Sequence, residues 1–301
     1  MRQSAILDLV AGTVPTLAGS AFDFGFRHWL QPFSRENLPR VAVNGARLAE
    51  VNGWPNALCI LAAILQGLPE ADETQQAQTF VALAVFEQYF RDLGTVLAAR
   101  DPAGEDLPSQ FLADPPQRPS HLLARLPEPT VRDVAALIAA ARQHWPQFRA
   151  QPFASNPTFA RSATVGGADA DWVIGGILHE CKVSYQARPI EKKHIRQLLG
   201  YLLLDADDAL GLTGVALLLR ANRACPSWPP RAFLRGLGIR DELPALRERF
   251  AALLAAEQAR RQARTEVEQH TDIDPQTGRT RRIIRVTLRP GGGPPSDPST
   301  C

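Results

Sequence analysis

Asp169, Asp171, Glu180 and Lys182 stand close together around two apolar runs, Trp172-Val173-Ile174 and Ile177-Leu178-His179, joined by Gly175-Gly176. Gly-Gly favours a two-residue hairpin turn, because both central positions of such a turn take positive φ. In that register the numbers of cross-strand partners sum to 351, so Ile174 faces Ile177, Val173 faces Leu178, Asp171 faces Glu180 and Asp169 faces Lys182. Alternation then places Asp169, Asp171, Val173, Leu178, Glu180 and Lys182 on one face, and Trp172, Ile174, Ile177, His179, Cys181 and Val183 on the other. Two carboxylates directly opposite each other, with Cβ atoms roughly 4.5–5.5 Å apart, destabilise a sheet unless something compensates. A divalent cation is the natural compensator: Mg²⁺ takes a few carboxylate oxygens and keeps positions for water and a substrate phosphate. An ammonium on the same face can orient the attacking water and offset the charge that develops on phosphorus. The planar, permanently protonated guanidinium of arginine would replace it poorly. Hydrolysis of a phosphodiester is the chemistry these residue types suit.

The pattern Asp171-Trp172-Val173, a turn, then Glu180-Cys181-Lys182 resembles the PD-(D/E)xK nuclease superfamily, and Gln197-Leu198-Leu199-Gly200-Tyr201 resembles the Gln-x-x-x-Tyr helix of its RecB-like branch. The resemblance covers roughly residues 131–220. It implies an α/β, restriction-endonuclease-like core, an α-β-β-β-α-β mixed sheet preceded by a helical N-terminal region. It implies that Asp171 and Glu180 hold Mg²⁺, or Mn²⁺ in its place, that Lys182 assists the water, and that Gln197 and Tyr201 buttress the site or touch the DNA backbone. Asp169 is open between two roles, a further metal ligand or a partner of Lys182. The family often adds an acid from the helix before the first strand; Asp133 is the only acidic residue of the helix expected at 131–148, and that role is unassigned. A metal-dependent deoxyribonuclease in DNA repair, recombination or defence against foreign DNA follows from the resemblance. The alternative is a non-catalytic nucleic-acid-binding or assembly module that keeps the fold.

Other chemistries fit less well. Asp169, Asp171 and Glu180 mimic positions 1, 3 and 12 of an EF-hand loop, but Val173 and Ile174 stand where an oxygen ligand and a glycine belong. His179 falls on the hairpin face away from the acids, and with His194 it makes no metal-binding spacing. No phosphate-binding P-loop occurs. Lys192, Lys193 and Arg196 open the helix that carries Gln197, and Arg279, Arg281, Arg282, Arg285 and Arg289 crowd the C-terminal end. Such patches suit a nucleic-acid backbone, so contacts to DNA are expected at phosphates rather than bases.

The elements that must position these groups follow from pattern. Residues 1–100 read as a helical region, clearest at Thr74–Ala99, and could hold substrate or a protein partner. Seven prolines in 101–130 mark a connector without regular helix. A helix is expected at Val131–Phe148 with Thr130 as N-cap, then strands at Phe159–Val165, Asp169–Ile174 and Ile177–Ser184, a helix from Pro189 to Asp205, and a buried strand at Thr213–Arg220. The nuclease-like core is therefore placed at 131–225. An extension at 226–290 is helical to Glu268 and then pairs Thr271–Asp274 with Arg279–Leu288 across a Pro275–Gly278 turn, and a Gly/Pro/Ser-rich tail at 291–301 is expected to be disordered.

Composition bounds the rest. Of 33 cations, 30 are arginine, and Lys182, Lys192 and Lys193 are the only lysines, which points to a biased coding background. A net charge of +2 excludes a histone-like polycation, and 45% hydrophobic residues exclude a disordered chain. Cys59, Cys181, Cys225 and Cys301 are too scattered for a zinc cage or a disulfide scaffold. With no apolar run long enough to cross a bilayer, the expectation is a cytoplasmic protein that does not enter membranes.

Overall fold

The structure, a computed structural model, describes residues 11–34, 36–98, 107–182, 190–219, 225–273 and 280–288. The expected Val183–Ser184 strand end, the Pro189 helix start, Arg220, the 275–278 turn, Arg279, Arg289 and the 291–301 tail lie outside them. The described chain is mixed α/β. Helices α1 (Pro15–Leu30), α2 (Arg40–Val51), α3 (Ala57–Gly67), α4 (Glu73–Arg91), α5 (Leu93–Ala98), α6 (Leu107–Ala113), α7 (Pro119–Ala124) and α8 (Glu128–His144) come first. Strands β1 (Phe153–Ser155), β2 (Trp172–Ile174) and β3 (Ile177–Lys182) follow, then α9 (Lys192–Leu204), β4 (Gly214–Leu219), β5 (Ser227–Trp228), α10 (Pro230–Gly236), α11 (Leu243–Arg264), β6 (Thr265–Ile273) and β7 (Thr280–Leu288).

Three of the prolines of 101–130 start helices rather than forbid them, and Pro102 lies outside the described residues. Pro108 is the second residue of α6, Pro119 the first of α7 and Pro129 the second of α8. In a first turn the missing N–H would have had no intrahelical partner anyway, so proline is tolerated there. Phe111, Leu112 and Leu122 bury into the same apolar cluster as α1–α4. Thr130 lies inside α8 instead of capping it; its Oγ1 accepts a hydrogen bond from the Val14 N–H at 2.9 Å and so ties down the start of α1.

The five-stranded sheet runs β1-β2-β3-β4-β5, antiparallel except for the parallel β3–β4 pair that α9 connects. Gly175 and Gly176 take φ of 58° and 78°, and Trp172–His179, Val173–Leu178 and Ile174–Ile177 pair in the expected register. Two strand expectations are corrected. Residues 159–165 form a loop ending in a 3-10 turn, Ser162–Val165, because the Ser162 hydroxyl accepts from Phe159 N and donates to the Ala168 carbonyl, a local bonding pattern that competes with a strand. The first strand is Phe153–Ser155, and β2 starts only at Trp172; Asp169 bridges Thr158 rather than Lys182.

Each face of the sheet buries a different core. Trp172, Ile174 and Leu218 join the cluster of α1–α4 and α8, whereas Val173, Leu178, Val215 and Leu217 pack with Leu198, Tyr201 and Leu202 of α9 and Phe233 of α10. Arg247 of α11 fixes the end of α9 by donating to the Leu202 carbonyl, Asp205 and Asp208 at 2.9–3.1 Å. The helix expected to reach Glu268 ends at Arg264. From Thr265 onward Thr, Val and Ile recur on alternate positions and favour a strand, β6, which pairs with β7 so that Glu268 is opposite Arg285 and Asp272 opposite Arg281. No helix among the described residues is long and apolar enough to cross a membrane.

Candidate active site

One cleft of about 810 Å³ gathers Asp169, Asp171, Glu180, Lys182, Gln197 and Tyr201. The chain leading into β2 supplies Asp169 and Asp171, β3 supplies Glu180 and Lys182, and α9 the last two. The turn holds β3 against β2, and the Cys181 N–H donates to Asp171 Oδ2 at 2.7 Å, so Asp171 is anchored to β3 just past the last β2 pair. Glu180 is 3% exposed. Lys182 Nζ donates to Glu180 Oε1 at 2.6 Å, which makes Glu180, not Asp169, its partner.

Glu180 Oε2 is buried and has no hydrogen-bond partner among the described residues. The single proton of the Tyr201 hydroxyl has two acceptors in reach, the Asp169 carbonyl at 2.9 Å and the Glu180 carboxylate, and can serve only one at a time, while its oxygen accepts from Gln197 Nε2 at 2.7 Å. The helical spacing of Gln197 and Tyr201 thus builds a strut from α9 to the chain just before β2. Phe159 stacks on the Tyr201 ring, with centroids 5.2 Å apart.

Electrostatics mark the acid pair as strained. Burial, reinforced by the Asp171 charge, pushes the Glu180 carboxyl up to about 7. Burial also raises Asp171, against the pull of the Cys181 N–H and of Arg27. Burial and the Glu180 charge hold the Tyr201 phenol well above its usual range, so it stays a neutral donor. His179, on the opposite hairpin face, bonds the Ile177 carbonyl at 2.8 Å and packs edge-on against Phe148; burial lowers its pKa to about 4.

A second wall of the cleft was not anticipated from the sequence. Asp23 and Arg27 of α1 and Glu87 and Arg91 of α4 line it. Trp172 explains the placement of α1: its ring lies 4.5 Å from that of Phe26 and 6.5 Å from that of Phe22, aromatic contacts worth about 0.5–1.5 kcal/mol each beyond area burial. Phe22 and Phe26 grip the residue after Asp171, so their neighbours Asp23 and Arg27 come to lie beside Asp171. On its other side α1 packs closely on α8 and α4 at Gly25, where a Cβ would meet Ile138 Cδ1 at 2.2 Å. Arg27 Nε donates to Asp23 Oδ1 at 2.8 Å, and Arg91 Nε to Glu87 Oε1 at 2.5 Å. The signal available in the sequence was the Asp-x-x-x-Arg and Glu-x-x-x-Arg spacing, which on a helix makes a facing pair.

Two sequence expectations fall elsewhere. Lys192, Lys193 and Arg196 are exposed on the first turns of α9 and do not line the cleft; Lys193 pairs with Glu191 at 3.0 Å. Asp133 is buried within α8, away from the cleft lining, which takes its helical acids from α1 and α4 instead. Among the described residues no three His, Cys, Asp or Glu side chains are gathered into a metal cage, so Asp171 and Glu180 stand as a pair, with Asp169 at the wall.

Compared with family models, with curated proteins and with solved structures, the chain matches none of them.

Proposed function

We propose that the protein is a metal-dependent nuclease that hydrolyses DNA phosphodiester bonds, with a restriction-endonuclease-like core and Mg²⁺ or Mn²⁺ held by Asp171 and Glu180. The observation that carries the reading is the buried Glu180 carboxylate, whose Oε2 makes no well-formed hydrogen bond and has the Tyr201 hydroxyl, shared with the Asp169 carbonyl, as its nearby donor, in a cleft with Asp171 and Lys182. A buried acceptor left unpaired costs about 1–3 kcal/mol, more when charged, and a cation is the ligand that removes the cost for a facing acid pair. The cleft lining supports this. Asp23, Glu87, Asp169, Asp171 and Glu180 face Arg27, Arg91 and Lys182, a formal excess of two negative charges that one divalent ion balances. Two protein carboxylates are a normal complement for Mg²⁺, which keeps water and substrate phosphate in its other positions.

When bound, such an ion polarises the phosphoryl oxygen and lowers the pKa of water in its shell. The chain's own residues do the rest. Cys181 N–H fixes Asp171 in place, and Lys182, held on Glu180, carries positive charge to where negative charge grows on the phosphoryl group. Gln197 and Tyr201 lock the Asp169 backbone and with it the edge of the site. Water loses a proton as its oxygen bonds to phosphorus; the bond to one ester oxygen breaks, and that oxygen takes up a proton, leaving a phosphate monoester and an alcohol.

The test is cleavage of single-stranded, linear duplex and circular DNA with Mg²⁺ and with Mn²⁺, beside Lys182→Ala. Cutting is expected to stop with chelator and to fall about 100-fold or more in Lys182→Ala, the scale seen when one preorganised charge is removed. Tight binding with no cleavage under either metal sinks the enzyme reading in favour of a binding module.

A further inference from the structure

The α1–α4 wall raises a question that the acid pair does not answer. An acid and an arginine four residues apart on a helix usually form a solvent-facing pair worth a few tenths of a kcal/mol. Arg132 and Glu128 on α8 are of that kind, with side chains 58% and 79% exposed. The cleft pairs differ: the Arg27 and Asp23 side chains are 8% and 13% exposed, and that of Glu87 is 6% exposed. Desolvating an ion pair brings little or no stability, because the lost hydration offsets the attraction. Burial of such groups along a cleft is better explained by what enters the cleft.

Their geometry suits one class of ligand. Asp23 takes Nε and Nη2 of Arg27 side by side, which fixes the plane of the guanidinium and leaves Nη1 as the terminal nitrogen that Asp23 does not engage. A fork held in this way matches the oxygens of a phosphate, and the pairing acid keeps it from collapsing onto Asp171. Arg27 and Asp171 lie within each other's field, so the fork is adjacent to the acid pair. Arg91 is anchored by Glu87 through Nε, yet its side chain is 55% exposed, so it reaches from the cleft toward solvent.

We propose that Arg27 and Arg91, bracketed by Asp23 and Glu87, are the phosphate-holding wall of the cleft, with Arg27 taking a non-bridging oxygen of the phosphate to be cut and Arg91 the next phosphate of the same strand. This rests on the nuclease reading of the opposite wall and deepens it: the helical region is part of the substrate site, and it holds the backbone rather than the bases.

The experiment measures binding of fluorescent single-stranded and duplex oligonucleotides in Mg²⁺ between about 50 and 200 mM KCl, in the Lys182→Ala protein so that the probe stays whole. Each phosphate contact contributes about 0.7–0.9 to the slope of log affinity against log salt. Arg91→Ala is expected to reduce that slope by about this amount and to weaken binding about 5–10-fold at low salt. Arg132→Ala, the same helical pair away from the cleft, should change neither. Arg27→Lys keeps the charge and loses the fork, so the slope stays when the change is made in the Lys182→Ala protein, while kcat/KM for cleavage falls about 10–100-fold when it is made in the otherwise unchanged chain. If Arg91→Ala behaves as Arg132→Ala does while the unmutated chain still cuts DNA, the phosphate wall is overturned and the nuclease reading stands. If the unmutated chain neither binds nor cuts nucleic acid with either metal, both fall.

Discussion

Asp171 Oδ2 accepts a hydrogen bond from the backbone N–H of Cys181 at 2.7 Å, across the point where β2 has ended and β3 continues. One carboxylate oxygen is thereby engaged in closing the hairpin, and the other is left for the cleft. Asparagine can make the same bond through its amide oxygen but carries no charge. Asp171→Asn should therefore melt no lower than the parent protein in chelator, and should lose at least about 100-fold in metal-dependent cleavage. Asp171→Ala loses the bond as well, so it should also be less stable than Asp171→Asn by about 1 kcal/mol. Melting curves and cleavage rates for the two variants separate the structural role from the chemical one.

Glu180 gives up stability in the absence of a cation. Its pKa in the folded chain is pushed up to about 7, first by burial and then by Asp171. A raised carboxyl favours the folded state most below its ordinary pKa, near 4.5, and that contribution is lost as pH rises through 7. In chelator at pH 8, Glu180→Gln is expected to raise the melting temperature by roughly 2–4 °C, corresponding to about 1 kcal/mol, and with Mg²⁺ present to abolish cleavage. Near pH 4.5, where the glutamic acid is already protonated, the two proteins should melt together. A lower melting temperature for Glu180→Gln at pH 8 would contradict the strain assigned to this group.

Tyr201→Phe removes a hydroxyl that donates to the Asp169 carbonyl and accepts from Gln197, while leaving the stack on Phe159 in place. The expected cost is about 1–2 kcal/mol in stability, since the Asp169 carbonyl and the Gln197 amide both lose a partner. Cleavage should fall about 5–20-fold, through looser placement of the chain before Asp171 rather than through lost chemistry. The pH profile of kcat should keep its shape, and a changed profile would mean that the phenol itself moves a proton.

His28 supplies a pH dependence remote from the acid pair. Burial, with Arg142 adding to it, lowers the imidazole to about 4, and its Nδ1 accepts the Phe33 N–H at 3.1 Å, which needs an unprotonated nitrogen. Because the unfolded chain binds the proton more tightly, this stability is complete above the ordinary pKa near 6.5 and is lost as pH falls toward 4. His28→Asn places an acceptor near the same position without a titrating group. Its melting temperature should fall less steeply than the parent's between pH 6.5 and pH 4. Parallel curves would remove His28 as the cause.

The hairpin could be read in advance because its constraints are local. Gly175-Gly176 sets the turn, and a two-residue turn leaves one register, so the pairing of Val173 with Leu178 follows by counting; β2 ends before Asp171 can pair with Glu180, and the two acids meet as lining of one cleft. The Gln197–Tyr201 contact was legible because the two are one helical turn apart, whereas the bond from Tyr201 to the Asp169 carbonyl, which makes it a strut, was not. Asp169 was misplaced because pairing arithmetic assumes a strand that continues, whereas the Ser162 hydroxyl and the Thr158 bridge pull the chain away to the other edge. Arg27 and Arg91 could not be located at all. Nothing near residue 27 or 91 announces residue 171; the contact of Phe22 and Phe26 with Trp172 brings α1 to it, and that contact spans about half of the chain. The helices of 107–130 were hidden by a count of prolines that ignored where in a turn each one stands.

The cleft draws on five separate stretches of chain, around Asp23, Glu87, Asn156, Asp171 and Tyr201, and no one of them carries a complete site. During synthesis, α1 and α4 emerge long before the hairpin, and the Gln197–Tyr201 helix emerges last. The acid pair and the arginines therefore meet only in a chain that has completed its cooperative folding. A chain that ends before Gln197 lacks part of the cleft lining, so any cutting by this protein waits on its own folding transition.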